Sequence, residues 1–343
     1  MMPAAWLLVL FLAVSASYVP PSLKHQGVCW VAGREVVSDK EVAALTRNHV
    51  TWISQTPFGW QQSATTPEVV LNTGSNPVWW GESDEGIRAT TQLARAAGIQ
   101  TILKPHIWVR KGWPGDICMN SEGEWQQWFA QYERFILHYA ELAEQERIPI
   151  LCIGTELHRT VGRESEWRAL ISKIRACYAG QLTYAANFHL EFEEVAFWDA
   201  LDYIGVQAYF PLSKNVNTSV AELQKNWRAH TRSIEAVSRK FGKPVLFTEI
   251  GYKSTLDAAV EPWRWPQESD ANQISEEVQA RCYQAFFNEV WPQPWLAGAY
   301  FWKWYPDGST RWAAVDFTPQ GKMAEAVLRT GFARAAHLKD DKR

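Results

Sequence analysis

The 343-residue chain has little cysteine, almost no net charge and a single long apolar run. Its five cysteines (Cys29, Cys118, Cys152, Cys177 and Cys282) are odd in number and lack the short paired spacings of a metal site. Most read as small buried apolar residues, and no disulfide pair can be named from their positions. A net charge of −3 leaves no electrostatic footprint for nucleic acid or for an anionic membrane. There is no His/Asp cluster with ligand spacing, which argues against a metal-dependent hydrolase. The first strand-like segment runs into V-C-W-V-A-G-R (28–34) and not into a phosphate-binding glycine fingerprint. That disfavours an open doubly wound nucleotide-binding sheet. Neither a metal nor an organic cofactor is expected.

The apolar run is N-terminal, M-M-P-A-A-W-L-L-V-L-F-L-A-V-S-A-S over residues 1–17. About a dozen apolar residues are too few to span a bilayer comfortably, and Val14-Ser15-Ala16 offers small residues for cleavage. Residues 1–16 therefore read as a secretory signal, 17–26 as a linker and 27–343 as one domain, exported to the periplasm or the medium. No basic residue precedes the run, so an uncleaved membrane anchor is the alternative. What the chain has in excess is tryptophan, twenty in all. Indole faces stack on the C–H faces of sugar rings, although an aromatic-rich core would use the same residues.

Short apolar strands alternate with amphipathic helices. Strands are predicted at 27–31, 50–56, 99–106, 149–156, 182–187, 203–209, 244–250 and 297–303. Helices are predicted near 39–48, 84–97, 125–146, 165–179, 191–199, 219–241, 275–290 and 320–336. Eight successive strand–helix units imply a closed parallel (β/α)8 barrel, the TIM-barrel architecture. Helix-to-strand connections are tight, whereas the second, third and seventh strand-to-helix connections are long (57–83, 107–124 and 251–274). That asymmetry places a site on the C-terminal face of the barrel.

Two strands end on glutamate: P-I-L-C-I-G-T-E-L (149–157) and P-V-L-F-T-E-I-G-Y (244–252). A carboxylate at the end of a buried strand is costly unless it has a partner or a chemical role. A single such glutamate is more often a solvated rim residue or an ion-pair partner. Two of them, on the fourth and seventh strands of a barrel, can face each other across its mouth. Strand alternation puts Glu156 on one face with Gly154 and Cys152, and Glu249 with Phe247 and Val245. Paired carboxyls about 5–5.5 Å apart suit retaining glycoside hydrolysis.

This arrangement resembles clan A glycoside hydrolases. More narrowly, I-G-T-E-L (153–157), V-Q-A-Y-F-P (206–211), F-T-E-I-G-Y (247–252) and Y-F-W-K-W-Y-P-D-G (300–308) resemble glycoside hydrolase family 113. The resemblance implies β-1,4-mannanase activity on mannan or manno-oligosaccharides, with Glu156 as acid/base and Glu249 as nucleophile. Clan members usually carry Asn before the acid/base to hold the substrate 2-hydroxyl. Thr155 stands there in this chain, and Asn187 is a possible substitute. Tyr209, at the end of strand six, is expected to hydrogen-bond Glu249. Trp302 or Trp304 is expected to floor the subsite that carries the scissile bond. Lys104 and His106 are expected to bind sugar hydroxyls, and Trp60, Trp108, Trp312 and Arg110 to build outer subsites. His158 and His189 read as second-layer or surface residues. The alternatives are a retaining glycosidase or transglycosylase on another β-glycan, or a non-catalytic carbohydrate-binding barrel.

Overall fold

The computed structural model describes residues 24–71, 79–306 and 312–340. The expected signal and most of the expected linker lie outside them. Eight parallel strands close into a barrel: β1 (His25–Trp30), β2 (Trp52–Gln55), β3 (Gln100–Leu103), β4 (Ile150–Thr155), β5 (Gln181–Asn187), β6 (Tyr203–Gln207), β7 (Val245–Ile250) and β8 (Leu296–Trp304). Each pairs with its neighbours in sequence, and β8 closes on β1. Helices α1 (Asp39–Arg47), α2 (Asp84–Ala96), α3 (Glu122–Gln145), α4 (Glu164–Cys177), α5 (Glu191–Glu194), α6 (Val220–Phe241), α7 (Glu276–Glu289) and α8 (Met323–Asp340) follow them in turn. The chain is therefore a (β/α)8 barrel. Strand β1 begins earlier than expected, and Lys24, His25 and Gln26 are buried in the barrel floor, not in a linker.

Local signals account for the element ends. Ser83, Ser121, Ser219 and Ser275 each accept a hydrogen bond from the first turn of a helix, satisfying donors that a helix start leaves free. Gly242 ends α6 in the left-handed region at φ 64°, which costs glycine nothing. Predicted strand three is interrupted at Pro105, and the second strand stops just before Pro57, since proline has no N–H for the ladder. They resume as a separate parallel pair, Phe58–Gln61 with His106–Val109, which extends the barrel wall. The predicted fifth helix (191–199) shrinks to the single turn of α5, followed by a 3-10 turn at Trp198–Ala200.

Strand alternation does not deliver the two glutamates as expected. Along β4, Cys152 pairs with Thr183 and Thr155 with Ala185, so three steps on β4 match two on β5. This bulge reverses the alternation. Glu156 follows at φ 53° and turns back over the barrel mouth. A second bulge lies in β7, where Val206 pairs with Phe247 and Gln207 with Glu249. Phe247 faces outward onto Trp227 and Phe286, yet Glu249 faces the mouth. A third, in β8, pairs Val28 with Phe301 and Trp30 with Trp304. Trp302 stays with the interior residues Tyr300 and Cys29, while Trp304 passes to the outer core. The Trp302–Lys303 peptide within that bulge is cis.

All five cysteines are unpaired. No helix among the described residues is long and apolar enough to cross a membrane.

Candidate active site

The C-terminal ends of the strands and their long loops enclose a cavity of about 840 Å³, and both Glu156 and Glu249 line it. Its walls are largely aromatic, with Trp108 and Trp113 from the loop after β3, Trp263 and Trp265 from the loop after β7, and Trp302 from β8.

Glu249 is 4% exposed and held on both oxygens. The fully buried Lys104 ammonium donates to Oε1. The Tyr209 hydroxyl donates to Oε2 at 2.6 Å. Burial pushes the Glu249 carboxyl up, but the Lys104 charge and these hydrogen bonds outweigh it and hold it below the usual range. His106 Nε2 lies 3.7 Å from Oε1. Burial, then repulsion by Lys104, lowers the imidazole pKa to about 3, so His106 is neutral at pH 7.

Among the described residues no cation contacts Glu156. Asn187 Nδ2 donates to its Oε1 at 2.7 Å, and Trp113 Nε1 to its Oε2 at 3.2 Å. Loss of hydration, then the negative charge of Glu249, raises its pKa, and the two hydrogen bonds offset this only in part. Two carboxyls on one cavity are thus driven apart, one toward the acid and one toward the anion. Such divergence separates a general acid from a carboxylate that reacts as the anion.

The profile of Glycoside Hydrolase Family 113 matches residues 32–318. The chain belongs to Glycoside Hydrolase Family 113. It is a glycoside hydrolase, and its substrate is a carbohydrate. It is similar to the GH113 β-mannanase AaManA of Alicyclobacillus acidocaldarius in complex with ManMIm, with a TM-score of 0.79, 26% identity, and 94% of this chain and 100% of that one covered. A GH113 β-1,4-mannanase solved as a complex is similar at a TM-score of 0.77 and 26% identity, covering 90% of this chain and 99% of that one. The β-glucuronidase of Bifidobacterium dentium shares the fold at a TM-score of 0.58 and 14% identity, with 91% of this chain and 46% of that one covered. No curated protein sequence matches the chain.

His106, Asn187, Tyr209 and Trp302 line the cavity together with the two glutamates. Lys104 does not reach sugar. It lies beneath Glu249 as the carboxylate's counter-ion, and with no exposed surface it cannot touch a ligand. Thr155 is also turned away, with its hydroxyl 3.4 Å from the Pro105 carbonyl. Trp304 is buried in the outer core, on the far side of the bulge from Trp302. Trp60 does not line the cavity, but its ring lies 6.2 Å from that of Trp108, which does. Arg110 is exposed outside the cavity, and Trp312, half-buried, does not line it either. His158 pairs with Glu194 at 2.7 Å near the surface. His189, read as a surface or second-layer residue, lines the cavity.

Several lining residues are missing from the sequence-based set, among them Gln207 and the indoles Trp113, Trp263 and Trp265. Trp263 and Trp265 carry the clearest signal. They flank Arg264, whose Nη2 bonds Asp257 at 2.7 Å and Asp270 at 2.8 Å. Buried Lys253 lies between the same two carboxylates. This charge cluster fixes the loop and presents its indoles. The W-R-W triplet at 263–265, in a long loop after a barrel strand, was the available signal.

Proposed function

We propose that the enzyme cleaves β-1,4-mannosidic bonds in mannan or manno-oligosaccharides with retention of configuration, using Glu249 as nucleophile and Glu156 as acid/base. The observation that carries this reading is the opposite electrostatic setting of the two carboxyls on one cavity. In the first step Glu249 attacks the anomeric carbon, the bond to the leaving oxygen breaks, and Glu156 gives that oxygen its proton. The carboxylate charge of Glu249 passes into the glycosyl ester, which removes the repulsion that kept Glu156 protonated. Glu156, now ionised, takes a proton from water as the water attacks the anomeric carbon and Glu249 leaves.

Around this exchange, Tyr209 orients the nucleophile and Lys104 keeps it anionic. His106 and Asn187 face the substrate, with Asn187 placed where it can also meet a sugar hydroxyl in the absence of a side chain from Thr155. Support for mannan as substrate comes from the two GH113 β-mannanases, each at 26% identity over nine-tenths of the chain or more. The N-terminal run (1–16) supports export. The test is proton NMR of the first product released from defined manno-oligosaccharides. The β-anomer should appear first and then mutarotate. Initial release of the α-anomer, or hydrolysis of β-glucan in preference to mannan, would contradict the proposal.

A further inference from the structure

We propose that Glu191 is the positioning residue of the acid/base, holding Glu156 from two sides through one buried carboxyl. The inference rests on the role proposed above for Glu156. Glu191 opens the single-turn helix α5 and has no exposed surface. Its Oε1 accepts from the Tyr184 hydroxyl at 2.5 Å, and that hydroxyl oxygen accepts from the Leu157 N–H at 2.9 Å. The peptide on the C-terminal side of Glu156 is thereby anchored, at the point where its φ of 53° would otherwise be strained. Oε2 accepts from the Asn187 N–H at 2.7 Å. The Asn187 side chain is fixed in turn, since Oδ1 accepts from the His189 N–H at 2.9 Å and Nδ2 is left to donate to Glu156 at 2.7 Å. One carboxyl therefore sets both the backbone that carries Glu156 and the amide that grips its Oε1.

Gly154 keeps this path open. A Cβ there would stand 2.6 Å from the Tyr184 ring, pushing aside the hydroxyl that links Leu157 to Glu191. A purely structural role would not call for a carboxyl here. Among the described residues Glu191 has no cationic partner, and burial lifts its pKa to about 8, with the Glu156 charge adding to the shift. An apolar side chain would fill the space at lower cost. What such a side chain lacks is two acceptor oxygens at fixed separation. Glutamine retains one and turns an N–H2 group toward a donor. Glu191 does not line the cavity, so it acts through Glu156 and not on the sugar.

The test reads leaving-group dependence, which a general loss of structure would not alter. kcat/KM is measured on phenyl and 2,4-dinitrophenyl β-mannobiosides, the first needing protonation of its leaving oxygen and the second not. Glu191→Gln should lower kcat/KM about tenfold or more on the phenyl substrate and less than about threefold on the dinitrophenyl one. Equal losses on both, or no loss on the phenyl glycoside, would overturn the inference. Should Glu191→Gln fail to fold, Tyr184→Phe removes the hydroxyl that joins Leu157 to Glu191, leaves the Glu191–Asn187 bond in place and should show the same asymmetry; a symmetric loss overturns the inference there too. Glu156→Ala separates the two readings. If it shows no leaving-group asymmetry, the acid/base assignment falls and this inference with it. If it does and Glu191→Gln does not, only the inference falls.

Discussion

Trp113 donates to Glu156 Oε2 at 3.2 Å, and a donor to a carboxylate favours its ionised form. The proposed acid is therefore restrained from becoming too weak by the same indole that lines the cavity. Trp113→Phe removes the N–H and keeps most of the ring. The Glu156 pKa should rise further, and the alkaline limb of the kcat/KM profile, where the acid is lost, should move to higher pH. A limb that stays in place or moves down would show that this bond does not tune the acid. Lys104 acts in the same sense on Glu249, lowering its pKa. With Lys104→Met the buried carboxylate loses its cation and its pKa rises, so the acidic limb also moves to higher pH. At acidic pH kcat/KM should fall about a hundredfold or more, measured against wild type across the same profile. Lys104 was legible in T-I-L-K-P-H only as a polar residue at a strand end. Nothing local records that Glu249, distant in sequence, sits directly above it.

At the scale of elements, the barrel depends on glycines where side chains from neighbouring strands converge. On β6, a Cβ at Gly205 would lie 2.2 Å from the Tyr184 carbonyl oxygen and 2.8 Å from Thr183 Oγ1. Gly205→Ala should destabilise the fold by about 3 kcal/mol or more, read from urea denaturation, because backbone cannot yield to the methyl group. All eight strands were legible in the sequence, since buried parallel strands read as continuous apolar runs between Gly or Pro breaks. Their registers were not. The bulges at β4, β7 and β8 arise from pairing between strands, and each reverses an alternation counted along one chain segment. The count placed Glu156 with Gly154 and Glu249 with Phe247. Both glutamates reach the mouth, but through bulges that part them from those neighbours. The same effect separates Trp302 from Trp304. Helix α5 fell short for a related reason. Its first residue is committed to Tyr184 and Asn187, a tertiary contact that amphipathic periodicity does not encode.

For the whole molecule, the tryptophans divide into two populations. Trp128, Trp167, Trp198, Trp227 and Trp304 are fully buried, filling the layer between strands and helices. Trp108 and Trp265 remain 49% and 57% exposed on the cavity walls. Lys303 Nζ lies 4.8 Å from the Trp265 ring centroid and 5.7 Å from that of Trp302, which adds a cation–π contact behind that wall. Sequence reading found the excess of indole and its two uses, but could not sort the residues between them, because loop tryptophans declare their side only after folding. Trp108→Ala and Trp265→Ala should each raise KM about tenfold for long manno-oligosaccharides. For the shortest substrate cleaved, KM should change far less. Uniform effects at every chain length would place the contacts at the bond-breaking subsite instead.

The central claim is that Glu249 forms a bond to the sugar while Glu156 handles the protons. A 2-deoxy-2-fluoro-β-mannosyl fluoride slows the second step more than the first and should accumulate as an ester. Intact-mass spectrometry followed by peptide mapping should find one fluorosugar on Glu249, within the β7 peptide, with activity recovered as the ester hydrolyses. A label on Glu156 or elsewhere, or inactivation without any covalent sugar, would contradict the account.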